Sequence, residues 1–163
     1  MSAFFVSLLN LLRLRGGPQD LPSSAWLAFG LVAGYVLQNL ITGTQLDDDN
    51  AAAKTIIAIS IQIIVLAGLL FWRRRPERFL QSLSALAGVG IIFNFITQAL
   101  LSQSNETVNQ PLLALTWFAV FFWSLFVDAN IYRNALSLTL SIGVLISVLL
   151  VAASYTLIEI MFL

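Results

Sequence analysis

Four polar side chains stand inside stretches of the chain that are otherwise apolar. Three are the amides of Gln62, Asn94 and Gln98, and the fourth is the carboxylate of Asp128. Amides form hydrogen bonds between helices, and an intramembrane carboxylate can bind a cation or carry a proton. The chain has no Cys and no His, so it lacks the thiolate nucleophile, the imidazole base and the usual zinc or haem ligands. We therefore expect no enzyme activity, no metal site and no cofactor.

The four residues fit two interpretations. As packing groups, the amides would form interhelical hydrogen bonds, and Asp128 would pair with Arg133 or with an arginine of the segment 73–78. As a functional set, they would line the path of a substrate or an ion. A hydrolase is not expected, because Asp128 and Glu159 fall near opposite faces of the membrane and cannot form a catalytic pair.

The amino-acid composition indicates whether these side chains belong to a protein that folds in water or in a lipid bilayer. Of the 163 residues, 59% are hydrophobic and 10% are charged, and the mean hydropathy is +0.91. A soluble domain carries about 25% charged residues, so this chain is not expected to fold in water. Eight basic residues balance eight acidic ones, which leaves no net positive charge to hold a nucleic acid. The lipid bilayer is the expected partner.

Five stretches are apolar enough to cross the membrane. A helix needs about 20 apolar residues to span a hydrocarbon core of about 30 Å. The predicted spans are 24–41, 52–72, 79–101, 111–131 and 135–163. Three aspartates at 47–49 and four arginines within 73–78 separate neighbouring spans, because such charges are costly in hydrocarbon. We predict an all-α bundle of five transmembrane helices that forms one domain over 24–163.

Residues 1–15 are predicted to form a short amphipathic helix, followed by a turn at 16–23. Arg13 and Arg15 come after its apolar run, whereas a signal peptide has its basic residues first. Fifteen residues of helix reach only about 22 Å, which is too short to span. We expect an interfacial helix on the cytoplasmic leaflet, and the alternative is a helix packed on the protein.

The basic residues predict the orientation of the chain. With a cytoplasmic N-terminus, seven of the eight basic residues face the cytoplasm and only Lys54 lies outside. This bias follows the positive-inside rule and places the C-terminus in the periplasm. The side chains expected near lipid phosphates are Arg13, Arg15, Arg73, Arg74, Arg75 and Arg78.

Small residues in two spans predict close helix packing. Gly30 and Gly34 form a GxxxG spacing in the first span, and Ser84 and Gly88 lie on one stripe of the third. Such stripes pack against helices of the same chain, of other membrane subunits or of a second copy. A shift of 55 residues also aligns Gly88 with Gly143, which suggests a repeat of two helical hairpins and keeps a transport function open.

The layout of five spans with a cytoplasmic N-terminal segment resembles the Yip1-like membrane proteins. The stretch LRLRGGPQDLP at residues 12–22 is also similar to the start of small proteobacterial inner-membrane proteins. The DLxGP signature of eukaryotic Yip1 members is approached only at Asp20, Leu21 and Pro22. The resemblance implies a bacterial inner-membrane protein without enzyme activity, acting as a scaffold, a membrane-organising factor or an accessory subunit. The alternative is a small oligomeric transporter or channel lined by Gln62, Asn94, Gln98 and Asp128.

Overall fold

The computed structural model describes residues 2–46, 49–104 and 109–162, so that Asp47 and Asp48 lie outside the described residues. The described chain is helical, as predicted. Its helices are α1 (Ser2–Leu12), α2 (Ala25–Gln45), α3 (Ala51–Trp72), α4 (Phe79–Leu101), α5 (Pro111–Leu136) and α6 (Leu140–Phe162). Helices α2 to α6 are long and apolar enough to cross a membrane. The predicted fold class, an all-α bundle with five candidate membrane spans, is confirmed.

The end of α5 differs most from the predicted boundaries. The sequence places a turn around Tyr132 and Asn134, but the helix continues to Leu136 and the turn falls at 137–139. Ser137 closes the helix in the left-handed conformation, with φ of 52°, and the N–H of Leu138 donates to the Arg133 carbonyl at 2.9 Å. The polar residues that resemble a loop in the sequence are instead used inside the bundle.

Helix α4 is the centre of the bundle. Half of its span is buried, against 11–17% for the other four spans. The most extensive contacts join α2 to α4 and α5 to α6, while α3 contacts both pairs. Large apolar side chains cover the outer surface, with Trp26 exposed by 90%. This inverted pattern suits a protein whose exterior contacts lipid rather than water.

Helix α1 packs on the protein along one face. Leu8, Leu11 and Leu12 are buried where α1 contacts α4 and α5. The indole Nε1 of Trp123 donates to the Leu12 carbonyl at 3.0 Å, and Nδ2 of Asn130 donates to the Gly16 carbonyl at 2.9 Å. This is the packing alternative left open by the sequence. The other face of α1 remains apolar and exposed, with Phe5, Val6 and Leu9.

The glycines differ in what they pack against. A Cβ at Gly88 would lie 3.0 Å from Leu8, so the buried small-residue face of α4, which includes Ser84, accommodates α1. A Cβ at Gly34 would meet Ile91 at 3.4 Å. Gly30 faces outwards, and a Cβ there would meet no described atom within 4 Å. Within the described residues, the predicted packing role therefore applies to Gly34, Ser84 and Gly88 but not to Gly30.

The two hairpins of the suggested repeat are packed differently. A Cβ at Gly143 would overlap the backbone carbonyl of Ala129, so α5 and α6 cross at close range. Helices α3 and α4 make much fewer contacts with each other. Gly88, which aligns with Gly143 at a shift of 55 residues, faces α1 rather than its hairpin partner.

Three arginines stabilise the C-terminus of α5. The guanidinium of Arg78 donates to the carbonyls of Asn134 at 2.8 Å and Ala135 at 3.3 Å. Arg73 donates to the Leu136 carbonyl at 3.3 Å, and Arg75 donates to Ser137 Oγ at 2.7 Å. The last carbonyls of a helix lack partners within it, and cations complement its dipole there. We call this side of the bundle, where α3 and α5 end and α4 begins, the arginine end.

These contacts modify the expectation that six arginines face lipid phosphates. Arg73, Arg75 and Arg78 bind the end of α5, whereas Arg13, Arg15 and Arg74 are exposed. Only part of this group of cations therefore remains available for the expected contact with lipid phosphates.

We predict that Gly143→Ala lowers the free energy of unfolding by about 1–3 kcal/mol, because the added methyl overlaps backbone that cannot move independently. The matched control is Gly30→Ala, which places the same methyl in open space and should change stability by less than about 0.5 kcal/mol. Unfolding in mixed detergent micelles measures both. Equal effects of the two substitutions would contradict the close α5–α6 crossing.

A second prediction concerns the arginine end. Arg78→Ala leaves the Asn134 and Ala135 carbonyls without their cationic donor and should lower the free energy of unfolding by about 1–3 kcal/mol. Arg74→Ala is the control, because Arg74 is exposed and forms none of the described side-chain contacts with α5. The same micelle assay applies, and a loss in Arg74→Ala as large as in Arg78→Ala would show that net charge, not helix capping, is responsible.

Candidate functional site

A polar cavity lies between the five spans. It consists of two adjacent chambers of about 220 and 240 Å³ that share Tyr35, Gln62 and Asp128 as lining residues. The first chamber lies between α2, α3, α4 and α5, and the second reaches α6. We call the two chambers together the central cavity. Every predicted span contributes to its wall.

Asp128 occupies the junction of the two chambers. It lies eight residues before the end of α5, or about 12 Å at 1.5 Å per residue. Tyr35 and Gln62 stand near the midpoints of α2 and α3, so the carboxylate is close to the middle of the bundle.

No arginine is found among the described residues that line the cavity around Asp128, in contrast to the expected ion pair. Asp128 is the only charged residue among the described residues that line the cavity. Three of the arginines proposed as its partners, Arg73, Arg75 and Arg78, donate to the end of α5 instead, whereas Arg74 and Arg133 are exposed. A carboxylate at this depth is costly without a compensating charge or hydrogen bonds, so its surroundings decide its role.

The first chamber extends along α4 towards the end of the bundle opposite the arginines. Its lining on α4 reaches from Leu83 to Thr97, a rise of about 21 Å. Asn94 supplies an amide whose Nδ2 atom is buried and has no hydrogen-bond partner among the described residues. The ring of Tyr35 can reach the chamber because Gly90 has no side chain, and a Cβ there would lie 2.7 Å from that ring.

The second chamber is lined by hydroxyl groups. Tyr132 and Ser147 are only 1% and 2% exposed, and neither hydroxyl has a hydrogen-bond partner among the described residues. Ser154 lines the same chamber about two turns further along α6. Tyr132 and Ser147 lie towards the arginine end, because α5 ends and α6 begins there.

Gln98 belongs to a separate contact between α2 and α4. Its Nε2 donates to Thr42 Oγ1 at 2.9 Å, and Thr42 Oγ1 donates to the Gln38 carbonyl at 3.0 Å. Gln98 lines neither chamber. Gln38 is buried nearby, and neither polar atom of its amide has a partner among the described residues. Polar groups thus continue beyond Asn94 towards the end opposite the arginines.

Of the four residues selected from the sequence, the structure brings together Gln62, Asn94 and Asp128. It adds Tyr35, Tyr132 and Ser147, which sequence reasoning missed. Tyr35 offered a signal, because a tyrosine at the midpoint of a span is far from the membrane interface where this residue is usually found. The sequence places Tyr132 in a turn, and a serine in a membrane helix has no distinctive pattern.

The cavity can bind but is poorly equipped for covalent chemistry. It contains one carboxylate and uncharged hydroxyl and amide groups, without an imidazole, a thiol or a second acid among the described lining residues. No group of three or more potential metal-ligating side chains occurs in the described part of the chain. Buried polar atoms are costly when unpaired, and chambers of this size can hold several water molecules or one small solute, since a water takes about 30 Å³.

No protein-family model, no curated protein and no solved structure matches this chain. The functional assignment therefore depends on the geometry of the central cavity.

Proposed function

We propose that this protein is a small membrane transporter or channel whose solute passes through the central cavity. The observation that carries the proposal is the position of Asp128. It is the only charged group among the described residues of the cavity wall, and polar groups from the other four spans line the same wall. An ionisable residue inside a membrane bundle is the usual mark of a substrate or ion pathway.

The unpaired polar atoms favour a pathway over a purely structural core. Leaving a buried donor or acceptor without a partner costs about 1–3 kcal/mol. The amide of Asn94 and the hydroxyls of Tyr132 and Ser147 all face the cavity in this state. If the cavity served packing alone, apolar side chains of similar size would stabilise the bundle better. Water or a polar solute supplies the missing partners.

The polar groups also extend over most of the bundle. Tyr132 lies one turn before the end of α5 at the arginine end, and Thr97, which lines the first chamber, lies about one turn before the end of α4 on the opposite side of the bundle. Asp128 and Gln62 lie between them. The sequence suggests an oligomeric transporter or channel, but lining residues from all five spans of one chain support a pathway within a single chain.

The alternative is the scaffold or accessory-subunit role that the Yip1-like layout implies. The small-residue face of α4 no longer supports it, because α1 of the same chain covers that face. The two functions differ in what they require of the cavity. A solute path needs water in the cavity, whereas a scaffold needs only a well-packed core.

Cysteine accessibility tests the proposed function, and the chain provides a background free of Cys. We predict that Ser147→Cys and Asn94→Cys react with a small charged methanethiosulfonate in lipid nanodiscs, because only a hydrated thiol ionises. Phe126→Cys is the matched control, since Phe126 is on the outer, lipid-facing surface of α5. It should react at least about tenfold more slowly.

The protein must first be shown to be folded by a thermal unfolding measurement. If both cavity cysteines then fail to react, the cavity is dry, and this result would favour the scaffold function. Reaction at Ser147→Cys alone would restrict the pathway to the arginine end and would contradict a continuous path.

We further propose that the protein resides in a bacterial inner membrane, with the arginine end in the cytoplasm. The exposed Arg13, Arg15 and Arg74 support this orientation, because cationic side chains flanking short loops are retained on the cytoplasmic side. Lys54 is near the start of α3, at the other end of the bundle.

Reporter fusions test the orientation. A C-terminal alkaline phosphatase fusion should be active and a C-terminal green fluorescent protein fusion should be dark, whereas fusions after Pro76 should give the opposite pair of results. Fusions after Gln103 are the internal control and should match the C-terminal ones, because α5 and α6 return the chain to the same side. A fluorescent C-terminal fusion would overturn the orientation.

A further inference from the structure

The charge balance of the central cavity depends on one residue. The polar residues that line a chamber together with Asp128 include Tyr35 from α2, Gln62 from α3 and Asn94 from α4, with Ser147 from α6 and Tyr132 from its own helix. None of these five is charged at neutral pH. An isolated carboxylate in a low-dielectric interior has a large desolvation cost, which a cation bound beside it offsets. The site is therefore suited to a positively charged ligand.

The atoms that the cavity can offer to a cation are oxygens. Tyr35, Tyr132 and Ser147 carry hydroxyls, Gln62 and Asn94 carry amides, and all five residues line the chambers together with Asp128. Oxygen donors suit hard cations and ammonium groups, while soft transition metals prefer thiolate and imidazole ligands. Two of the hydroxyls are fully buried and without a partner among the described residues, so they are available to a ligand.

The single carboxylate selects for ligand charge. A divalent cation beside one carboxylate would leave an uncompensated positive charge in the bundle, and Ca²⁺ and Mg²⁺ sites usually carry several carboxylates. A monovalent cation would be neutralised by Asp128. Chambers of about 220 and 240 Å³ admit a small ion with a few waters, or a small ammonium compound.

We propose that the central cavity binds a monovalent cation at Asp128, with Tyr132 and Ser147 supplying hydroxyl oxygens. This inference rests on the proposed function and specifies the solute class of that pathway. Alkali ions and small protonated amines share the required chemistry, and the experiment distinguishes them.

The test uses the full chain in detergent micelles and follows the thermal unfolding temperature, Tm. At constant ionic strength, N-methylglucamine chloride, whose cation is much larger than the other three, is replaced stepwise by NaCl, KCl or methylammonium chloride. We expect Tm to rise and saturate with at least one of these salts, because a ligand that binds only the folded state stabilises it. A response to NaCl or KCl identifies an alkali-ion site, and a response to methylammonium identifies an amine site.

Substitutions locate the site. Asp128→Asn keeps the shape of the side chain and should abolish the salt-dependent rise in Tm. Glu159→Gln is the matched control, because it removes the other carboxylate of the membrane spans, which lines neither chamber, and it should leave the response intact. Tyr132→Phe removes one hydroxyl and should raise the midpoint cation concentration by about fivefold, the equivalent of one hydrogen bond.

Two results would overturn the inference: no salt changes Tm in the unmodified protein, or Asp128→Asn responds like the unmodified protein. If Asp128→Asn does not fold, the site is tested with Tyr132→Phe and Ser147→Ala instead. A midpoint cation concentration that is unchanged in both variants would reject the site. Reactive cavity cysteines together with no cation response would leave the proposed pathway standing for an uncharged solute. Unreactive cysteines would reject the pathway itself.

Discussion

A polar group inside a bilayer must find its partner within the protein, because hydrocarbon offers none. Most of this bundle satisfies that constraint with internal contacts. Asn130 binds the Gly16 carbonyl, Gln98 binds Thr42, and the arginines bind the last carbonyls of α5. The described contacts leave some buried polar atoms without a partner, both in the central cavity, as at Asn94 and Ser147, and outside it, as at Gln38, Ser82 and Ser84. The central cavity differs from these other places because its unpaired atoms share a wall with the carboxylate of Asp128.

The end of α5 connects the fold to the cavity. Capping by arginines from the α3–α4 connection allows α5 to continue past Tyr132, which is thereby placed inside the bundle rather than in a turn. Gly143 lets α6 approach α5 closely, and Ser147 lies one turn further along the same helix. The hydroxyl wall of the second chamber therefore depends on a helix cap and on a glycine crossing, neither of which touches the cavity.

The success of the sequence reasoning differed from residue to residue for physical reasons. Gln62, Asn94 and Asp128 were identifiable because an amide or a carboxylate in the middle of an apolar stretch is costly and so is seldom placed there without a role. Gln98 has the same character but turns to α2, and Gly30 has the spacing of a packing motif but faces outwards. Spacing along one helix indicates which residues share a face, not which neighbour that face meets.

The sequence by itself determined that the chain is suited to a lipid bilayer, that it has five candidate spans, and that its basic residues are concentrated in the segments at one end of those spans. Hydropathy and length decide this, because they set the cost of placing each segment in hydrocarbon. The sequence also excluded chemistry that needs Cys or His. Only the tertiary structure decided that α1 packs on α4 and α5, that the arginines cap α5 rather than neutralise Asp128, and that all five spans meet at one polar cavity. The reason is that membrane helices are apolar on every side, so their rotation and choice of neighbour follow from close packing and hydrogen bonds between segments distant in sequence.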